Sequence, residues 1–252
     1  MTRRIGSAET GRRPDEVIVE EPLEIRLDDR LVATTMRTPG HDYELAAGFC
    51  FCDGLLAGAP VTGVRYCATG TAVETEFNVV TVDSGGLAPE PTPRLGTTSS
   101  SCGLCGSVSI ESLTDRLSPV SGVTPGAEVL AKVAALVRAD QQLFEVTGGV
   151  HAAAAFDPAT GQPFVVREDI GRHNAVDKVI GRLLLDGGLP ASGSALWVSG
   201  RASFEMVQKA WAAGFGALVS VSAASGLAVD AARRAGMTLI GFARDDSATL
   251  YE

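Results

Sequence analysis

FVVREDIGRHNAVDKVIGRLLLDGGLPASGSALWVSGRASFEMVQKAWAAG, residues 164–214, decides the fold. Two short apolar runs, FVVREDI and ALWVSG, each lead straight into a segment with helical spacing. In the second segment Phe204, Val207 and Trp211 fall in register on one helix face. The pattern continues to the end of the chain: GALVSVSAA reads as a strand, SGLAVDAARRAG as a helix and MTLIGFAR as a last strand. Short apolar strands alternating with helices predict a parallel sheet covered by crossover helices.

In an open parallel sheet, ligands bind beyond the carboxyl ends of the strands. Those ends read REDIGRH (167–173), SGRAS (199–203), SAASG (222–226) and ARDDS (243–247). All four are polar, and three supply arginine. The first three also open helices, whose free N–H groups favour an anion. Their convergence predicts a phosphate or nucleotide site, with Arg172, His173 and Arg201 as candidates. The competing reading is structural: these residues only start helices, with Asp169 pairing Arg172.

Upstream the pattern changes. VIVEEPLEIRLDDRLVATTM (17–36) reads as a hairpin turning at Asp28-Asp29. DYELAAGFCFCDGLL (42–56) reads as a helix with Leu45, Phe49 and Cys52 on one face. TAVETEFNVVTVD (71–83) sets Val73, Phe77 and Val79 against Glu74, Glu76 and Asn78, the alternation of a half-buried strand. GGLAPEPTPRLGTTSSS (85–101) is too rich in proline and glycine for regular structure and serves as a linker. Ile110, Leu113 and Leu117 suggest a short helix after it. Thr124-Pro125 signals a helix start, with a helix to about Phe144 that buries Val129, Val133, Leu136 and Val137. TGGVHAAAAF (147–156) fits either a buried strand or a tight helix start. The expected organisation is a loose tail over 1–14, a mainly β lobe over 15–123 and an α/β domain over 124–252. The fold class is thus α/β, or α+β overall.

The net charge is −9. Residues 164–252 hold nine basic and nine acidic side chains, so the whole excess lies upstream. A nucleic-acid binder would show a basic surplus, and that class is excluded. No apolar run reaches the length of a membrane span. The Arg-containing N-terminus is not followed by an apolar stretch, so a cytoplasmic protein is expected.

Five cysteines stand at 50, 52, 67, 102 and 105, an odd number that argues against a disulfide framework. Cys102 and Cys105 lie in SSCGLCG, after the linker. They have the spacing of half a zinc site, but Cys50 and Cys52 would point to opposite sides of a helix and chelate poorly. Those two and Cys67 read as small buried hydrophobes. A redox pair would normally open a helix soon after a strand. A sulfur carrier needs a reachable thiolate between glycines. On the residues alone, metal binding and sulfur carriage stay open. His41 sits in a Pro-Gly turn, and His151, in an alanine-rich segment, reads as a core histidine that could also orient a ligand or protonate a thiol.

Taken together, TPGHDYELAAGF, SSCGLCG, HAAA, EDIGRHNAVDK, SGRASFEMVQKA and GFARDDSATLY, in this order over residues 15–251, resemble the formate dehydrogenase accessory sulfurtransferase family, FdhD. The resemblance implies a sulfurtransferase acting between a cysteine desulfurase and formate dehydrogenase. Sulfur would ride as a persulfide on Cys102, the first cysteine of the motif, with Cys105 as the second. The acceptor it implies is the Mo-bis(molybdopterin guanine dinucleotide) cofactor, held through its GDP-like moiety. The implied cofactor segment is Phe242, Ala243, Arg244, Asp245, Asp246 and Ser247. The family pattern carries Gly-Arg where this chain has Asp246-Ser247, which shifts side-chain contacts toward Arg172, His173 and Arg201. A cytidine-deaminase-like C-terminal domain without the deaminase metal signature, no structural metal and a homodimer are also implied. The alternative is a chaperone that binds the cofactor without moving sulfur.

Overall fold

A computed structural model describes residues 2–3, 12–13, 15–66, 76–91, 115–244 and 247–252. Cys67, most of the predicted tail, the linker beyond residue 91, Cys102, Cys105, Asp245 and Asp246 lie outside them. A two-strand ribbon, β1 (Thr2–Arg3) with β2 (Arg12–Arg13), stands at the start.

The predicted hairpin is β3 (Glu21–Leu27) and β4 (Arg30–Arg37), paired antiparallel. Asp28 and Asp29 have φ of 46° and 65°, the two left-handed residues that a two-residue hairpin turn demands. β6 (Val79–Asp83) runs parallel to β3, and β5 (Gly63–Tyr66) closes the sheet in the order β4-β3-β6-β5. The strand predicted from residue 71 is shorter among the described residues. Glu76 and Phe77 take φ of 50° and 58°, which interrupts an extended chain, and Phe77 is exposed.

α1 (Asp42–Cys52) does not bury the single face predicted for it. Leu45, Phe49 and Cys50 join the core of the four-stranded sheet with Leu23, Ile25 and Val80. Cys52 points the other way, into the larger C-terminal core. Residues two apart on a helix diverge by about 200°, and here each side has its own core. The helix is a wedge between two lobes.

The C-terminal lobe contains α2 (Ala127–Arg138), α3 (Gln142–Thr147), β7 (His151–Phe156), β8 (Pro163–Asp169), α4 (Arg172–Leu185), β9 (Ala195–Val198), α5 (Phe204–Ala212), β10 (Ala217–Ser220), α6 (Gly226–Ala235), β11 (Thr238–Arg244) and β12 (Ser247–Tyr251). Its six strands are ordered β12-β11-β10-β9-β7-β8. The sheet is mixed, not parallel throughout as predicted. β9, β10 and β11 run parallel, whereas β7 pairs antiparallel with both β8 and β9, and β12 folds back on β11. The β7–β8 and β11–β12 connections are too short to hold a crossover, so those strands must reverse.

The single helix predicted over 124–144 is two helices. Gly126, not Thr124, occupies the N-cap, and Thr124 Oγ1 instead lies 3.2 Å from Thr238 Oγ1. Val129, Val133 and Val137 are buried as predicted, against Ala152, Phe156, Trp197 and Ile240. The segment 115–123 packs on the C-terminal lobe: Trp211 Nε1 donates to Ser118 O at 2.7 Å, and Val123 N to Gly216 O at 3.1 Å.

The lobes meet where α1 crosses α4. A Cβ on Gly48 would fall 1.9 Å from Asp177 O, and one on Gly181 would fall 1.8 Å from Glu44 O. Backbone thus lies on backbone at the crossing.

Candidate functional site

β8 opposes β7 and β7 opposes β9, so β8, β9, β10 and β11 all point the same way. Their carboxyl ends gather at one edge, as the sequence predicts. The start of β7 reaches the same edge and brings His151 with it. Sequence reading favoured a core histidine and left open a role in orienting a ligand, because strand direction is not visible in an alanine-rich run.

One buried carboxylate shapes the α4 end of this edge. Asp169 is fully buried, and its partner is Lys178 Nζ at 2.7 Å, not Arg172 as the structural reading supposed. It also accepts from Thr38 N at 3.1 Å, Gly171 N at 2.8 Å and Asn174 Nδ2 at 3.0 Å. Lys178 donates onward to Thr38 O at 2.9 Å, and Ile170 N donates to Thr38 Oγ1 at 3.0 Å. Every strong donor and acceptor here is used, which is what a buried charge requires. The network pins the EDIGRH turn and leaves Arg172 unpaired by it.

Arg172, the first residue of α4, lies beside Gly200 and His151. A Cβ on Gly200 would meet Arg172 Cδ at 3.4 Å and His151 Nδ1 at 3.6 Å. The bare glycine therefore keeps a shallow cradle open between the arginine and the histidine. Ser220, fully buried, donates to Gly200 O at 2.6 Å and fixes that loop. Among the described residues, Arg172 Nε and Ser203 Oγ are buried without a hydrogen-bond partner. Ser203 is the N-cap of α5 and makes no side-chain cap bond. A donor and a hydroxyl left unsatisfied beside a helix N-terminus suit an incoming anion. Arg201 is exposed at the same edge. His173 turns away: it is buried, with Nε2 2.5 Å from Glu205 Oε2.

Ser199 Oγ accepts from Ala152 N at 2.9 Å and lies 3.2 Å from His151 Nδ1. That oxygen keeps a proton to donate and a lone pair to accept with, so the contact serves either neutral tautomer of the ring. Burial, and then the charge of Arg172, push His151 below the ordinary histidine range. Both effects favour the neutral ring over the imidazolium.

The predicted cofactor segment lies at the end of β11. Phe242 is 43% exposed at φ 51°, where the β11–β12 register shifts. A bulky residue in the left-handed region is strained, a condition that clusters at functional sites. Ala243 is buried beneath it, Arg244 is exposed with Nε donating to Val221 O at 3.0 Å, and Ser247 is exposed at the start of β12.

A cavity of about 710 Å³ opens beside this edge on the α2 side of the sheet. Trp197, His151, Ser199, Phe144, Gln141 and Arg138 are among its walls. Sequence reading missed it, because its two sides lie far apart in the chain. Cys50 and Cys52 take no part: both are fully buried, and burial raises both thiols well above the ordinary range. Among the described residues no group of three His, Cys, Asp or Glu could hold a metal ion.

The model of the FdhD/NarQ family matches residues 18–252. The sulfur carrier protein FdhD of Corynebacterium efficiens is 45% identical over 98% of this chain and 94% of its own length. That of Streptomyces coelicolor is 47% identical over 98% and 91%, and that of Mycobacterium tuberculosis 43% over 99% and 94%. The crystal structure of a candidate formate dehydrogenase accessory protein from Desulfotalea psychrophila shares the fold at a TM-score of 0.72, covering 94% of this chain and 89% of that one at 24% identity. A match this long, with curated relatives at such identity, leaves little of the sequence outside the comparison: the chain belongs to the FdhD/NarQ family.

Proposed function

We propose that this protein is a sulfurtransferase that receives sulfane sulfur from a cysteine desulfurase and delivers it to the molybdenum cofactor of formate dehydrogenase. The observation that carries the reading is the family match over residues 18–252, with relatives named sulfur carrier proteins. Loading is a thiol exchange. The Cys102 thiolate attacks the outer sulfur of the desulfurase persulfide; a new S–S bond forms on Cys102, the old one breaks, and the desulfurase thiolate leaves. Of the other cysteines, Cys50 and Cys52 are too buried to compete.

The cofactor, Mo-bis(molybdopterin guanine dinucleotide), is the substrate that accepts the sulfur. Its anionic phosphates suit the strand-end edge, where Arg172 Nε and Ser203 Oγ have no hydrogen-bond partner among the described residues and Arg201 and Arg244 are exposed. Phe242 offers a ring face at the same edge. The C-terminal lobe would then serve as a cofactor holder, in keeping with the deaminase-like fold without deaminase metal ligands that the family resemblance implies. Among the described residues no helix is long and apolar enough to cross a membrane.

The test is mass spectrometry of the full chain after incubation with a cysteine desulfurase and cysteine. The expected result is a gain of one sulfur, reversed by reductant and absent in Cys102→Ala, which also fails to activate formate dehydrogenase while still binding GDP. No gain in the wild type would favour a chaperone that moves no sulfur. An active Cys102→Ala would overturn the assignment of the thiol.

A further inference from the structure

Tyr43, Tyr66 and Phe77 gather at the end of the four-stranded sheet that adjoins the C-terminal lobe. The Tyr43 and Tyr66 ring centroids lie 4.8 Å apart at 49°, and Phe77 meets Tyr66 edge-on at 5.2 Å. Tyr66 packs on the small core, whereas Tyr43 is 39% and Phe77 48% exposed. Phe77 also holds φ 58°, after Glu76 at φ 50°. An exposed phenylalanine in the left-handed region costs the free protein twice, in hydration and in backbone strain, where asparagine would relieve both. The loop is nevertheless held firmly: Arg37 donates to Asn78 Oδ1 at 3.0 Å, and Glu24 N donates to Asn78 O at 2.8 Å. A strained apolar residue, clustered with other rings at the surface, points to contact with another molecule.

The charges around the rings say what kind. The buried Arg37 guanidinium pairs with Asp42 at 3.0 Å and with Glu21 at 3.3 Å, and Tyr66 donates its hydroxyl to Asp42 at 3.2 Å. Glu76, beside Phe77, is exposed. Among the described residues, the carboxylates of Asp42, Glu21 and Glu76 thus stand against this one guanidinium. They lie in the part of the chain that carries the whole net negative charge. Ring faces attract a cation, and carboxylates at their rim add to the pull. An arginine or lysine fits both, its stem covering the rings while its charge meets the acids.

The place of the patch names the partner. β4 ends at Arg37, and the next residue, Thr38, donates its N–H to Asp169 at 3.1 Å. Asn174 Nδ2 reaches back to Met36 O at 2.8 Å. The patch is therefore fastened to the turn that opens α4, where Arg172 stands. An enzyme that approaches the strand-end edge to receive its cofactor comes up against these rings.

We infer that Tyr43, Tyr66 and Phe77, with Glu21 and Glu76 at their rim, form a docking surface for an arginine- or lysine-bearing segment of formate dehydrogenase. The inference rests on the proposed sulfur delivery and goes beyond it by naming the surface that meets the acceptor enzyme.

Biolayer interferometry of the full chain against the formate dehydrogenase of the same cell tests it, run beside persulfide loading by a cysteine desulfurase. Phe77→Asn removes the ring and suits the left-handed backbone, and Tyr43→Ser removes the second exposed ring, so the double variant should melt no lower than the wild type. It is expected to bind the dehydrogenase about tenfold more weakly or worse. Glu76→Lys should also weaken binding and flatten its salt dependence. Both variants should load sulfur at the wild-type rate. Dehydrogenase binding unchanged in the variants overturns the surface. Slower loading in the variants gives the patch to the desulfurase and overturns the assignment, as does a shift in oligomeric state by sedimentation, which gives it to a second copy. If the wild type loads sulfur but does not bind the dehydrogenase, the surface falls and the sulfurtransferase reading stands. If it does neither, both fall together.

Discussion

Lys209 is almost fully buried in the last turn of α5, with Nζ 2.7 and 2.9 Å from the two oxygens of Asp177 on α4. Asp53, at the end of α1, lies 3.8 Å from the same ammonium. Burial opposes the charge on Lys209, and the adjacent Asp177 more than restores it, so the ammonium stays charged. A pair of this kind adds little net stability over an apolar substitute, but losing one partner strands the other. Lys209→Met is therefore expected to destabilise the fold by about 3–5 kcal/mol. Adding Asp177→Asn should recover part of that loss, because the stranded carboxylate is gone. Urea unfolding of the single and double variants reads both values. A single variant as stable as the wild type would remove the pair from the account of the core.

At the scale of elements, the crossing of α1 on α4 depends on two glycines. In a helix interior, Gly→Ala ordinarily gains about 1 kcal/mol. At Gly181 the added methyl would sit 1.8 Å from Glu44 O and 2.8 Å from Gly48 N, both backbone atoms that cannot swing aside. Gly181→Ala should lose about 1–3 kcal/mol, whereas Gly226→Ala, which meets nothing within 4 Å, should be neutral or slightly stabilising. Equal effects in thermal melts would refute the close crossing. Such a contact is hard to read from sequence, since a glycine in a helical run shows only a cost and not the neighbour that justifies it. The same division runs through the rest of the chain. Asp28-Asp29 and the alternation of strand and helix after residue 164 were legible, because turn chemistry and apolar period are local. The convergence of REDIGRH, SGRAS, SAASG and ARDDS on one edge was legible too, since it needs only strands of one direction. The antiparallel β7 was not, so whether His151 stands in the core or at the edge stayed open in the sequence. Nor was the choice of Lys178 over Arg172 by Asp169, which depends on how α4 rotates against β8. The Trp197 cavity needs α2 and α3 set over the sheet, a long-range fact.

Across the whole molecule, the two lobes are held by a seam that is polar as well as apolar. Glu44 on α1 accepts from Arg167 Nη2 on β8 at 2.8 Å, and Arg182 and His41 lie 3.8 and 3.5 Å away. Asn174 reaches across to Met36 O at 2.8 Å, next to the Lys178–Thr38 bond. Burial disfavours the Glu44 carboxylate, but hydrogen bonds from Arg167 and His41, and the Arg167 charge, outweigh it and hold the group down at about 2. In the unfolded chain the same carboxyl titrates at its ordinary value of 4.5. Between those two values the unfolded chain binds the proton and the folded one does not, so acid favours unfolding. The seam should give its full contribution above pH 4.5 and lose it progressively as the pH falls toward 2. Glu44→Gln removes the titration while keeping the shape. It should start from lower stability at pH 6 and show a flatter decline below pH 4.5 than the wild type in urea unfolding, the difference between the two curves isolating this one group from the other carboxylates. Because Glu44 is only 7% exposed, moderate salt should change that difference little. Parallel curves for the two proteins would mean that the Glu44–Arg167 contact carries no pH-dependent share of the join between the lobes.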